Sequence, residues 1–346
     1  MTTKFNIREI LHGTQPGALQ SVGLMQVIPL ILTVEPNTHF ATPHDLLVGV
    51  SGHYGHMEFT NKTSRPGIIP MHTTVITEQR VQDHAMTKAG FVAANKNIVY
   101  NDAVCVQSSQ GGYLERGEHE ISILPYALRE TALSLRGKKE YNKLWPAIAD
   151  FNKIAQVAGG SCLVYFVQKF TQVLDQFVAE FECEDNQVGA IILVDGVVLG
   201  VERAPSVEYW NAVWEPLVRL CYGSQAIIVG LDKSENAYDG VYQPIREASS
   251  LEDLASAVRD ADQLQFSQAR EIVRGLIDDQ FSAKEEESHV TVNPDGRTTM
   301  KIHTVEHDQF AGQVVTDDGM VAYASLFSRS NWKKKRSYRR AEAFAI

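Results

Sequence analysis

The stretch VGAIILVDGVVLGVER, residues 188–203, limits the possible folds more than any other. Two apolar runs flank Asp195 and Gly196. That pair tolerates the positive φ angles of a two-residue type I′ turn, whose twist suits antiparallel strands. The middle of the chain is therefore predicted as a hairpin in a sheet. The same logic recurs towards the C-terminal end. VTVNPDGRTTMKIHTVEH and AGQVVTDDGMVAYASLF centre on Asp295 with Gly296 and Asp318 with Gly319, which predicts four closing antiparallel strands.

Other segments carry a helical period. Tyr141, Leu144, Trp145, Ile148, Phe151 and Ile154 recur at steps of three and four, as do Phe166, Phe170, Val173, Phe177 and Phe181. Such aromatic stripes read as core rather than as a cofactor box. A helix is predicted from Val207 to about Leu220, with Ser206 as N-cap and a kink or early stop at Pro216. A long amphipathic helix is predicted over residues 251–281. Short β-rich runs broken by Gly and Pro fill residues 24–110. The expected class is α+β: a mainly antiparallel β half, then helices, then a closing β-meander. Residues 1–23 read as an N-terminal arm, 24–328 as the body and 329–346 as a tail. The charged run SAKEEESH suggests a joint near residues 283–288.

Composition matters because of that tail. Six of the eight residues at 333–340 are cationic: Lys333, Lys334, Lys335, Arg336, Arg339 and Arg340. Trp332 and Tyr338 lie among them. The rest of the chain carries 26 cations against 42 carboxylates, so it repels nucleic acid and anionic membranes except at a local patch. Cations neutralise phosphates and rings stack on unpaired bases. The tail therefore points to single-stranded RNA or DNA, with docking on an acidic protein partner as the alternative. It brings no apolar anchor, so no membrane role is expected.

The remaining motifs are weaker. Cys105, Cys162, Cys183 and Cys221 form no C-x-x-C pair and read as reduced thiols of a cytoplasmic protein. No signal peptide and no membrane-spanning run is read in the sequence. HTVEH matches the H-x-x-E-H zinc pattern in form. In a strand, however, its histidines would stand about 13 Å apart, too far for one ion. HYGH has no further ligand at a matching spacing, so no metal and no cofactor are expected. GGSCLVYF, residues 159–166, reads as a turn and helix start with some capacity for an anion. SSQGGYL follows a strand, and its glycines allow close backbone approach to a ligand. Gln110, Gly111, Gly112 and Tyr113 are the candidate pocket.

CVQSSQGGYL resembles the Cys-Val-Glu-Gln-Gly-x-Trp strand end of the first ARG and rhodanese-phosphatase-superfamily-associated (ARPP) family. MEFTNKTSRPGIIP and the Gln82-Asp83 pair precede it in the same order. LPYALRE, YNKLWPAI, VGAIILVDGVVLGVE, YWNAVWEPLVRLCYGSQA and GQVVTDDGMVAYASLF follow, covering residues 24–327. The resemblance implies a link to ADP-ribose and NAD-related systems and an enzymatic role. It makes Cys105, Asp83 and Gln107 the catalytic candidates. The family has Glu where this chain has Gln107, and an amide does not titrate. The sequence therefore favours a non-catalytic scaffold that binds single-stranded nucleic acid, RNA in preference, through its tail. An enzyme acting on an ADP-ribose-like or NAD-derived substrate is the rival, and a tail-docked assembly protein the third reading.

Overall fold

A computed structural model describes residues 1–35, 39–50, 52–77, 81, 83–109, 111–233, 250–293 and 296–329. Ten antiparallel strands make the main sheet. In spatial order they are Thr2–Asn6, Gln280–Asn293, Gly296–Glu306, Phe310–Asp317, Met320–Ser328, Val197–Arg203, Gln187–Val194, Met25–Leu32 and Thr14–Pro16. Gln20–Val22 also pairs with Met25–Leu32. The fold is α+β, with the helices in the middle of the chain and a closing meander.

Both predicted glycine turns that fall within the described residues form. Asp195 and Gly196 have φ of 54° and 71°, and Asp318 and Gly319 have 46° and 85°. All four closing strands are present; Asp295 lies outside the described residues. Gln187–Val194 is buried along its whole length. The reason is that the sheet is covered on both faces. Ala190, Ile192 and Val194 enter one core, under helices Tyr126–Ser134, Trp145–Ile154, Val164–Glu180, Val207–Pro216 and Gly223–Asp232. Ile191 and Leu193 enter the other, under Ile7, Ile10 and the end of helix Leu251–Leu276. The HTVEH motif lies largely in a strand, as expected: His303 is buried beside the Phe5 ring.

Several expectations change. The N-terminal arm is part of the sheet: Thr2–Asn6 pairs with Gln280–Asn293, and Ile7, Ile10 and Leu19 are buried. Gly13 and Gly23 mark turns between short paired strands, while Pro16 ends the strand Thr14–Pro16. The joint at 283–288 is the interior of a strand that is irregular between Glu285 and Glu287. Its carboxylates can lie there because each meets a cation: Glu285 with Lys301, Glu286 with Arg136 and Glu287 with Lys88. Ser206 caps its helix by accepting from the Tyr209 N–H. At Pro216 the α-helix gives way to a π-helical stretch, Leu217–Tyr222, and resumes as Gly223–Asp232. The β-rich half, beyond its strands in the main sheet, forms three small sheets of two, three and four strands.

Between the main sheet and the helices lies a buried charge. Arg129 is wholly enclosed. It donates to Glu202 at 2.8 Å, to the Tyr222 hydroxyl at 3.0 Å, to His72 Nδ1 at 3.2 Å and to Ser325. Its guanidinium also stacks 4.7 Å from the centre of the Phe327 ring.

Candidate active site

The smallest strands position the site. Val104–Cys105 pairs with His84–Ala85 in a four-stranded sheet that also holds Thr73–Val75 and Ser122–Ile123. Beyond Cys105 the chain turns. Cys105 Sγ donates to the Gln107 carbonyl at 3.1 Å, and the Val106 N–H donates to the Asp83 carbonyl at 2.9 Å. Gln107 then forms an antiparallel bridge with Cys162. Asp83, Cys105 and Gln107, the three candidates from the sequence, thus come together. Cys162 joins them from 55 residues downstream of Gln107. All four are almost fully buried.

Burial acts differently on each group. It raises the Asp83 carboxyl to about 6, although the Thr77 N–H at 2.8 Å and the Thr77 hydroxyl oppose the shift. It raises the Cys105 thiol to about 11, and the nearby Asp83 and Cys162 charges add to that. At Cys162 burial also pulls upward, but hydrogen bonding outweighs it. The Ser108 hydroxyl lies 3.2 Å from Sγ and the Ser109 hydroxyl 3.4 Å, and the backbone groups of both serines add to them. The Cys162 pKa is therefore lowered.

An aromatic ledge borders this cluster. Tyr113 packs on Tyr54 at 5.0 Å, Tyr54 on Tyr141 at 5.3 Å and Tyr141 on Trp145 at 5.6 Å between ring centres. The Cys105 N–H donates to the Tyr141 carbonyl at 2.7 Å, which ties the ledge to the thiols. The Gly112 N–H donates to the Tyr54 hydroxyl at 3.1 Å. So Gly111, Gly112 and Tyr113 of the candidate pocket sit at the ledge, while Gln110 lies outside the described residues. Three buried polar atoms here have no hydrogen-bond partner among the described residues: Gln107 Oε1, Trp145 Nε1 and Asn152 Oδ1. Asn152 uses its amide N–H groups to hold the carbonyls of Gly160 and Cys162, at 2.7 and 3.0 Å.

Residues 13–327 match the family model of ARPP-1, the ARG and Rhodanese-Phosphatase-superfamily-associated Protein domain. The chain belongs to this family. The ARPP-1 match covers the main sheet apart from Thr2–Asn6 and Ser328, the five helices over the first core, the helix Leu251–Leu276 and every residue of the cluster above. It begins within the expected arm and ends before the tail. No curated protein and no solved structure matches the chain.

Within the ARPP-1 body, sequence reasoning missed the approach of Cys162 to Ser108 and Ser109. The available signal was a Cys just after a Gly pair and just before a helical period, where a thiolate is favoured. Its serine partners lie more than 50 positions away, and only the fold brings them near. The histidines of HYGH sit side by side, with the His53 and His56 rings 5.2 Å apart. Among the described residues no group of three or more His, Cys, Asp or Glu is placed to hold a metal, and no helix is long and apolar enough to cross a membrane. Trp332, Lys333, Lys334, Lys335, Arg336, Tyr338, Arg339 and Arg340 lie outside the described residues.

Proposed function

We propose that the protein is an enzyme, a hydrolase or transferase acting on an ADP-ribose-like substrate at the cluster of Asp83, Cys105 and Cys162. The observation that carries this reading is the convergence of a buried carboxyl raised to about 6 with two thiols and the unpartnered Gln107 Oε1. A carboxyl that stays protonated towards neutral pH can give a proton to a leaving oxygen. The tyrosine ledge offers faces for a nucleobase, and Gly111, Gly112, Gly159 and Gly160 allow a backbone to approach phosphates. Gln107 replaces the family's titrating Glu, so its part is to orient the substrate and the proton transfer falls to Asp83. The resemblance to the ARPP family suggests this substrate class.

The test is turnover of ADP-ribose and its esters by the full chain. Turnover should fall on the alkaline side as Asp83 ionises, and Asp83→Asn should remove it. Wild-type protein that neither binds nor converts these compounds would overturn the reading, as would an Asp83→Asn variant of unchanged rate.

The same variant should move stability the other way. The Asp83 pKa is about 6 when folded, against 3.8 as the ordinary value. Below pH 3.8 both states are protonated and the site contributes nothing. As pH rises through that window the unfolded chain ionises first, so folding loses stability, fully so above pH 6. That penalty is at most about 3 kcal/mol. Asn keeps an oxygen for Thr77 and carries no charge. Asp83→Asn should therefore raise the urea midpoint at pH 8 and leave it nearly unchanged at pH 4.

A second reading concerns the tail. We propose that residues 331–346 bind single-stranded nucleic acid, RNA in preference. Six cations interleaved with two rings, on a chain that is otherwise strongly acidic, support it.

A further inference from the structure

Of the four cysteines, only Cys162 combines a helix start with two serine hydroxyls within hydrogen-bond reach of its sulfur. It lies two residues before Val164–Glu180, a 17-residue helix whose N-terminal end favours a negative charge. The Ser108 and Ser109 hydroxyls lie at 3.2 and 3.4 Å on its other side. Asn152 fixes the carbonyl of Cys162 itself and keeps an unpartnered Oδ1 beside it, while exposing only 1% of its surface. Ser108, Ser109, Gly159 and Gly160 are exposed, so the sulfur lies just beneath a rim open to solvent. Cys105 and Cys221 are fully enclosed, with thiols pushed up to about 11 and about 12 by burial. Cys183 is exposed, but its thiol too is raised, first by burial.

We propose that Cys162 is a nucleophilic cysteine, held as a thiolate by the helix start and the two serines, and that it attacks an electrophilic carbon bearing a leaving group. The sulfur supplies the electron pair, the S–C bond forms, and the leaving group departs with the electrons of its own bond. Water then attacks the same carbon, its oxygen stays on the product, and the sulfur leaves as thiolate. One proton of the water remains on the product hydroxyl and the other neutralises the leaving group. For its natural substrate this rests on the enzymatic reading above; the thiolate itself does not. Asp83 and Cys162 act on the Cys105 thiol, while burial and the hydrogen bonds of Ser108 and Ser109 act on Cys162.

The experiment treats the full chain with limiting iodoacetamide from pH 5.5 to 9 and locates the modified cysteines by mass spectrometry. Here the alkylation displaces iodide. Cys162 should react first, with a midpoint below that of an ordinary thiol. Exposed Cys183 is the internal control, because access alone would make it the faster site. Ser108→Ala with Ser109→Ala should raise the Cys162 midpoint by about one pH unit, and Ser108→Thr, which keeps a hydroxyl, should leave it near the wild-type value. Cys162 reacting no faster than Cys183, or a midpoint indifferent to both serines, would overturn the proposal. Selective labelling without turnover of ADP-ribose compounds would uphold the nucleophile and defeat only the substrate reading. Turnover that survives Cys162→Ala would remove Cys162 from the reaction while the enzymatic reading stands.

Discussion

Arg129→Met should destabilise the protein by about 3–5 kcal/mol, because it strands Glu202 as an uncompensated carboxylate in the core. Glu202 is 3% exposed and accepts from Arg129 at 2.8 Å and from the Tyr222 hydroxyl at 2.6 Å. With the guanidinium gone, the hydroxyl alone remains beside the charge. His72 would also lose the donor that fixes its ring, whose Nε2 faces the Thr87 carbonyl at 3.1 Å. Urea unfolding reads the loss. Arg129→Met combined with Glu202→Leu should recover most of it, since removing both partners leaves no buried charge. A single variant within about 1 kcal/mol of wild type would show that the pair is not the anchor of the sheet. The network also sets an acid limit. Burial, and then the Arg129 charge, hold the His72 pKa well below its ordinary 6.5. Above pH 6.5 both states are neutral there. As pH falls below it the unfolded chain takes up a proton first, and the folded state loses stability progressively.

Gly200 belongs to the same design. A Cβ at that position would lie 1.9 Å from the Tyr222 hydroxyl oxygen. Any side chain would therefore push Tyr222 away from Glu202. The missing side chain at Gly200 is space reserved for a buried hydrogen bond.

What was legible in the sequence follows the range of the interaction. Asp195 with Gly196 specifies a hairpin through two adjacent backbone angles, and Ser206 caps a helix three residues away; both are local and both form. Arg129 depends on residues 57, 73 and 196 positions away. Taken alone, a charged residue in LPYALRE reads as surface, so neither its burial nor its network could be seen. The run KEEES misled for the converse reason. Four charges in a row look solvated, yet the three carboxylates find Lys301, Arg136 and Lys88, each on a different segment. The site was half legible. The family likeness gathered Asp83, Cys105 and Gln107, whereas Cys162 entered only through its bridge to Gln107, a pairing across two loops that no local pattern encodes.

Deleting residues 331–346 should remove most affinity for single-stranded RNA. Electrostatics sets the size of the effect. If all six tail cations meet phosphates, the logarithm of affinity should fall with the logarithm of salt at a slope near -4 for a single strand. Between 50 and 200 mM salt that is a loss of roughly 250-fold. The rest of the chain, with 42 carboxylates against 26 cations, repels the same ligand outside any local patch. The last described residue is anchored: Arg329 pairs with Glu130 at 2.7 Å and donates to the His307 carbonyl at 2.8 Å. Truncation after Ser330 therefore spares the contacts that close the sheet, and the shortened protein should unfold at the wild-type urea concentration. Trp332→Ala with Tyr338→Ala separates stacking from charge. Each ring is worth about 1–3 kcal/mol on an unpaired base, so the double variant should weaken single strands far more than duplex while leaving the salt slope unchanged. Fluorescence anisotropy with labelled oligonucleotides across a salt series measures all three quantities. Full-strength binding by the truncated protein would refute the tail reading. Loss of a basic-tail contact with an acidic protein, but not with RNA, would favour the docking alternative.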